Sequence, residues 1–106
     1  MKIKFYRGND HEVKFRFKTF TGTIDKMYLT TRCEKRIARL RKSLGNGITK
    51  QDDMYIVTFV PADTNDLDCE LNMTYDIEIV VNGKTYTVTK DRFILLEENT
   101  RPEDEV

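Results

Sequence analysis

His11, Cys33 and Cys69 are the residues best suited to nucleophilic or metal chemistry; His11 is the only histidine, and the chain has two cysteines. A Ser-His-Asp or Cys-His arrangement needs a nucleophile placed beside the base. Nothing in the spacing supplies one for His11, which stands at the start of an alternating, strand-like stretch. Zinc sites take three or four close ligands, and one histidine with two distant cysteines makes a poor set. The acidic run DTNDLDCE, Asp63 to Glu70, invites a calcium reading. Laid on an EF-hand loop from Asp63, it puts Leu67 and Asp68 where a ligand and a glycine are needed, and Thr74 where the bidentate glutamate belongs. Gly45-Asn46-Gly47 lacks the Lys-Ser/Thr of a phosphate loop, and Asp52-Asp53 point to opposite faces if extended. No catalytic, metal or cofactor-binding residue is therefore assigned, and the chain is expected to be non-enzymatic and cofactor-free.

The loudest local signal is basic. In EKRIARLRKSLGNGIT, the residues Lys35, Arg36, Arg39, Arg41 and Lys42 crowd eight positions. Such a run could release phosphate counterions from a nucleic acid. Two features oppose that: no aromatic is interleaved for base stacking, and the second half of the chain is strongly acidic. As a helix, the segment would offer Ile37, Leu40 and Leu44 to a core, with Gly45 as its C-cap. As a strand, Leu40, Lys42 and Leu44 alternate with Arg39, Arg41 and Ser43. Periodicity leaves both open, and in both the five cations form a candidate protein-interaction patch on an edge element.

The elements that must carry these residues read as strands. In HEVKFRFK, Val13, Phe15 and Phe17 alternate with Glu12, Lys14, Arg16 and Lys18, the pattern of a half-buried strand. DIEIVVNGKTYTVT contains Asn82-Gly83, the favoured pair of a two-residue type I′ turn. Folded about it, Val81 faces Lys84, Ile79 faces Tyr86 and Ile77 faces Val88, which gathers Tyr75, Ile77, Ile79, Tyr86 and Val88 on one apolar face. KIKFYR, KMYLTTRC, MYIVTFV (Met54 to Val60) and RFILLEE supply further strands. Pro61 ends the Met54 strand, and Asp, Asn and Thr in ADTNDLD suit a turn or one helical turn near 61–67. The expected fold is all-β: an antiparallel immunoglobulin-like β-sandwich of 7–8 strands, residues 1–98, with an acidic flexible tail at 99–106.

Composition sets the outer bounds. At 106 residues, with 39% hydrophobic and 34% charged residues, the chain suits one soluble domain with a single core. No stretch approaches the roughly 20 apolar residues of a membrane span, and MKIKFYRGND lacks the apolar core of a signal peptide. The cysteines are then expected to be reduced, although a single disulfide stays open. Net charge is zero, yet residues 1–50 hold fourteen Lys/Arg and four acids, and residues 51–106 hold the reverse. Either the halves neutralise each other in the fold, the preferred reading, or they face charged partners.

Taken in order, FYRGND, VKFRF, GTID, KMYLTTRC, LRKSLGNGIT, DDMYIVTFVPADTNDL and MTYDIEIVVNGKTYTVTKDRFILLEE form a recognisable succession. It resembles the small immunoglobulin-like β-sandwich proteins of tailed phages and prophages, and is similar to the N-terminal domain of phage baseplate upper proteins. The resemblance runs from about Phe5 to Glu98. It departs where DCELNM replaces the usual Pro-Gly-type turn and in the weight of charge at Lys35 to Lys42. What it implies is a virion structural or assembly protein: a baseplate, tail, neck or fibre-attachment component, made in the bacterial host cytoplasm and working by contact with other virion proteins. The charge split would suit head-to-tail contacts in a multicopy ring. A carbohydrate- or nucleic-acid-binding module on the same sandwich is the alternative. The absence of Trp and the placing of Tyr75 and Tyr86 on the apolar face weigh against carbohydrate, and no membrane partner is expected.

Overall fold

Alternation of apolar and charged residues dictates strands, and a computed structural model of the chain shows eight of them and one helical turn among the described residues. It describes residues 1–17, 23–33, 38–67 and 73–97. The strands are β1 (Ile3–Tyr6), β2 (His11–Phe15), β3 (Lys26–Arg32), β4 (Ala38–Leu44), β5 (Gly47–Gln51), β6 (Met54–Phe59), β7 (Thr74–Val81) and β8 (Lys84–Leu96), with α1 at Pro61–Thr64. The helical turn expected near 61–67 is therefore present. Pro61 opens it without wasting a backbone donor, and the Asp63 carboxylate accepts the Val60 N–H at 2.8 Å. The expected acidic tail at 99–106 lies outside the described residues.

All eight strands join in one mixed sheet, ordered β1-β8-β7-β3-β4-β5-β6-β2. It curls nearly into a barrel: Phe5 on β1, at one end of that order, packs 5.1 Å from Phe59 and stacks on His11 of β2 at 4.6 Å. A fully antiparallel arrangement was expected, and two pairs depart from it. β1 runs parallel to the end of β8, and β4 runs parallel to β5 through Ser43↔Gly47 and Leu44↔Ile48. The second departure has a local cause. Gly45 and Gly47 take positive φ values of 91° and 95°, so the chain winds round once and leaves in its original direction. The first arises because β8 outruns β7, leaving Phe93–Leu96 to pair with Ile3–Tyr6.

The inner faces supply the core: Val13 and Phe15 of β2, Met27 and Leu29 of β3, Tyr55, Val57 and Phe59 of β6, Tyr75, Ile77 and Ile79 of β7, and Phe93 and Leu95 of β8 are all buried. Burying a side chain of this size stabilises by about 1.5–3 kcal/mol. The Asn82-Gly83 turn forms with both residues at positive φ, 52° and 77°. The expected pairs Val81↔Lys84 and Ile79↔Tyr86 hold. The expected Ile77↔Val88 pair does not, because a bulge shifts the register between Ile77 and Glu78 and brings Thr89 opposite Ile77. Beyond the bulge β8 continues without a break, so the hairpin strand and RFILLEE are one strand of 13 residues. Tyr86 proves 41% exposed, on a stretch of β8 that pairs only with β7, since β1 pairs with β8 only over Phe93–Leu96.

Candidate functional site

The basic run splits in two on folding. Residues 38–44 are strand, so the strand reading of that part holds, and alternation sends neighbours to opposite faces. Lys35 and Arg36 lie outside the described residues. Arg39 is exposed beside the irregularity that offsets Arg32 from Thr31 in the β3–β4 ladder. Arg41 lies on the outward face, its guanidinium 4.3 Å from the centre of the Tyr28 ring. Lys42 turns inward instead. Its stem passes over Gly47, its ammonium stands 5.9 Å from the Phe59 ring centre, and it meets the Asp63 carboxylate at 2.6 Å. Both charged side chains of that pair are mostly buried, at 12% and 17% exposure. Of the described members of the patch, Arg39 and Arg41 thus face outward and Lys42 does not.

Asp63 consequently holds together three elements, because the carboxylate that takes Lys42 of β4 also accepts the N–H of Val60, between β6 and α1. The same turn clasps the β1–β2 connection. Thr64 is fully buried and its hydroxyl accepts the Gly8 N–H at 2.8 Å, while the Arg7 guanidinium donates to the Leu67 carbonyl. The acidic run read for calcium is therefore, in its described part, a structural clasp. Among the described residues, no group of three or more His, Cys, Asp or Glu side chains could hold a metal ion. His11 spends its ring face on Phe5, Cys33 is buried, and Cys69 lies outside the described residues.

Four ion pairs between described residues report on the charge split. The Met1 ammonium meets Asp91, Arg16 meets Asp53, Arg32 meets Asp76, and Lys42 meets Asp63. Each joins a cation of the first half to an acid of the second. Mutual neutralisation, the preferred reading, thus has contacts behind it: Arg32–Asp76 joins the neighbouring strands β3 and β7, and each of the other three pairs has at least one member outside the strands.

What remains outward is a lattice on β4, β3, β7 and β8. Cross-strand register sets Arg41, Thr30, Asp76 and Lys90 in one row and Ala38, Arg32, Thr74 and Arg92 in the next. Arg32 donates to one Asp76 oxygen at 3.0 Å, while the other Asp76 oxygen is buried with no hydrogen-bond partner. Sequence reasoning found Arg39 and Arg41 and missed Tyr28, Arg32, Asp76, Lys90 and Arg92. Their alternation was legible, but which strands lie side by side was not.

A second polar cluster holds the chain's start. The Asp91 carboxylate accepts the Met1 ammonium and the Arg92 N–H, both at 2.7 Å, and the Tyr75 hydroxyl donates to the Met1 carbonyl. Those two hydrogen bonds, the ammonium's first, lower the Asp91 carboxyl below its ordinary value. Burial, with a smaller push from the Asp91 charge, raises the Tyr75 phenol to about 12.

No protein-family model matches the chain, and no curated protein matches it at a significant level.

Proposed function

We propose that this chain is a non-enzymatic structural component of a tailed-phage particle, acting by protein–protein contact through the outward face of β4, β3, β7 and β8. On this reading the curled mixed sheet is a variant of the immunoglobulin-like sandwich, with β1 and β8 closing one side in parallel. One observation carries the choice of a protein partner. The outward face interleaves cations with acids on rigid strands, Arg32, Arg41, Lys90 and Arg92 surrounding Asp76 and Glu78. A patterned face of both signs selects a partner by complementarity, whereas a polyanion is met best by charge of one sign. Strands also hold these side chains at fixed spacings, which a docking surface in a repeated assembly needs.

The test is the protein's presence in particles. Purified virions from a host carrying the gene are expected to contain it by mass spectrometry in a fixed ratio to tail proteins. Virions that are complete and infectious without it would defeat the proposal. DNA binding measured across a salt series separates the nucleic-acid alternative, since phosphate contacts give an affinity that climbs steeply as salt falls.

A further inference from the structure

β2 stands last in the sheet order and, among the described residues, pairs with β6 alone, so its other edge offers a row of backbone groups to a further strand. Asp10, Glu12, Lys14 and Arg16 alternate along it on the outward side, all exposed, while His11, Val13 and Phe15 turn inward. Two acids precede Val13 and two cations follow it at matching distances. Towards β6, Glu12 and Lys14 stand opposite Thr58 and Ile56, which carry no charge. Neither belongs to the ion pairs between described residues. We propose that this edge of β2 is the contact between two copies of the chain, which pair β2 against β2, antiparallel, about a two-fold axis at Val13.

The charges select both the partner and the register. Residues directly opposite in an antiparallel pair share a face, with Cβ atoms about 4.5–5.5 Å apart. With Val13 opposite its own copy, Glu12 of each chain faces Lys14 of the other, and Asp10 faces Arg16. Every charged contact then joins opposite signs, and one surface serves both copies, as an isologous interface requires. Moving the axis to Glu12 or Lys14 sets that residue against its own copy, and like charges directly opposite destabilise a sheet. Moving it between two residues sets outward side chains against inward ones. Arg16 already meets Asp53, but those side chains are 51% and 69% exposed, and so open a pair is readily exchanged. Glu12 and Lys14 therefore carry the choice. The opposite end of the sheet order is guarded instead: β1 holds Lys4, with Lys2 just before it, and no acid. Backbone hydrogen bonds along the joined edge supply attraction, and the charge pattern supplies specificity. The inference stands apart from the assembly reading, which uses the outward face of β4, β3, β7 and β8.

Sedimentation equilibrium of the full chain over a concentration series tests this. The natural chain is expected to show a monomer–dimer equilibrium, with backbone amide signals at Asp10–Arg16 moving as concentration rises. Glu12→Lys and Lys14→Glu each turn two contacts of the dimer into like-charge pairs, and each is expected to weaken dimerisation roughly tenfold or more. An equimolar mixture of the two variants makes both contacts opposite in sign again and is expected to dimerise as the natural chain does. The double variant, Glu12→Lys with Lys14→Glu, is expected to do the same. Both positions are exposed, so matching circular dichroism spectra should show every variant folded. A natural chain that stays monomeric at millimolar concentration overturns the proposal. So does a dimer that both single variants retain, which would place the contact elsewhere, or a mixture that stays as dissociated as its components.

Discussion

Arg41 and Lys42 are adjacent, carry the same charge, and end in opposite environments. Arg41 lies over Tyr28 on the outward face, where water and salt weaken whatever it meets. Lys42 crosses the inner side to Asp63, bringing β4 against the chain that follows β6. The difference teaches that charge alone does not define a surface patch. In a strand, a side chain's parity decides whether it serves partners or the fold.

The comparison is broken most directly at its buried member. Lys42→Ala leaves Asp63 mostly buried without its cation, and a loss of about 3 kcal/mol is expected in urea denaturation, since removing one partner of a buried pair is costly. Lys42→Met with Asp63→Asn removes both charges while keeping an acceptor for the Val60 N–H, and should recover to within about 1 kcal/mol of the natural chain. If Lys42→Ala costs no more than an exposed substitution, the inward placement is wrong.

The glycines beside Lys42 sharpen the same contrast. A Cβ on Gly47 would lie 2.4 Å from the Lys42 Cδ, whereas one on Gly45 meets nothing within 4 Å, and both residues have positive φ. Gly45→Ala should therefore cost about 1 kcal/mol from backbone strain alone. Gly47→Ala should cost roughly 1 kcal/mol more, because the Lys42 head is held by Asp63 and its stem cannot swing clear. Paired melting curves check the order. Removing Lys42 should bring the two glycine variants together.

Tyr75 extends the contrast to pH. Its phenol rises to about 12 when folded from an ordinary 10.0. Below pH 10 both states keep the proton and the group adds no pH dependence. Between pH 10 and 12 the unfolded chain releases a proton that the folded chain retains, so stability falls as pH rises, and above 12 the effect levels off. Absorbance titration should show one tyrosine ionising late, and Tyr75→Phe should flatten the stability decline over that window. The smallest effect is expected on the outward side: Arg41→Gln loses an exposed cation–π contact worth about 0.5–1 kcal/mol, which lowers the melting temperature by only about 2–4 °C.

The legible parts of the fold were those with strict local rules. Alternation marked Val13 and Phe15 as inward and Glu12 and Lys14 as outward, and Asn82-Gly83 placed the last hairpin with two of its pairs correct. The bulge before Glu78 broke the third, because an extra residue leaves no mark on composition. The site was harder to read. Arg39 and Arg41 stood out as part of a run, yet the face they belong to draws on β3, β7 and β8, whose residues are far apart in sequence. Neutralisation of the two charged halves was favoured in advance, but the particular ion pairs required the strand order.

The sequence by itself determined that this chain is all-β, where its turns fall, and which residues of most strands face the core, since period-2 patterning and turn chemistry act between near neighbours. Only the tertiary structure decided that the sheet is mixed and curled, that Lys42 belongs to the fold and Arg41 to the surface, and that cations and acids from opposite halves stand side by side. Those outcomes depend on which strands become neighbours, a choice set by the summed packing of the core and recorded in no single stretch of residues.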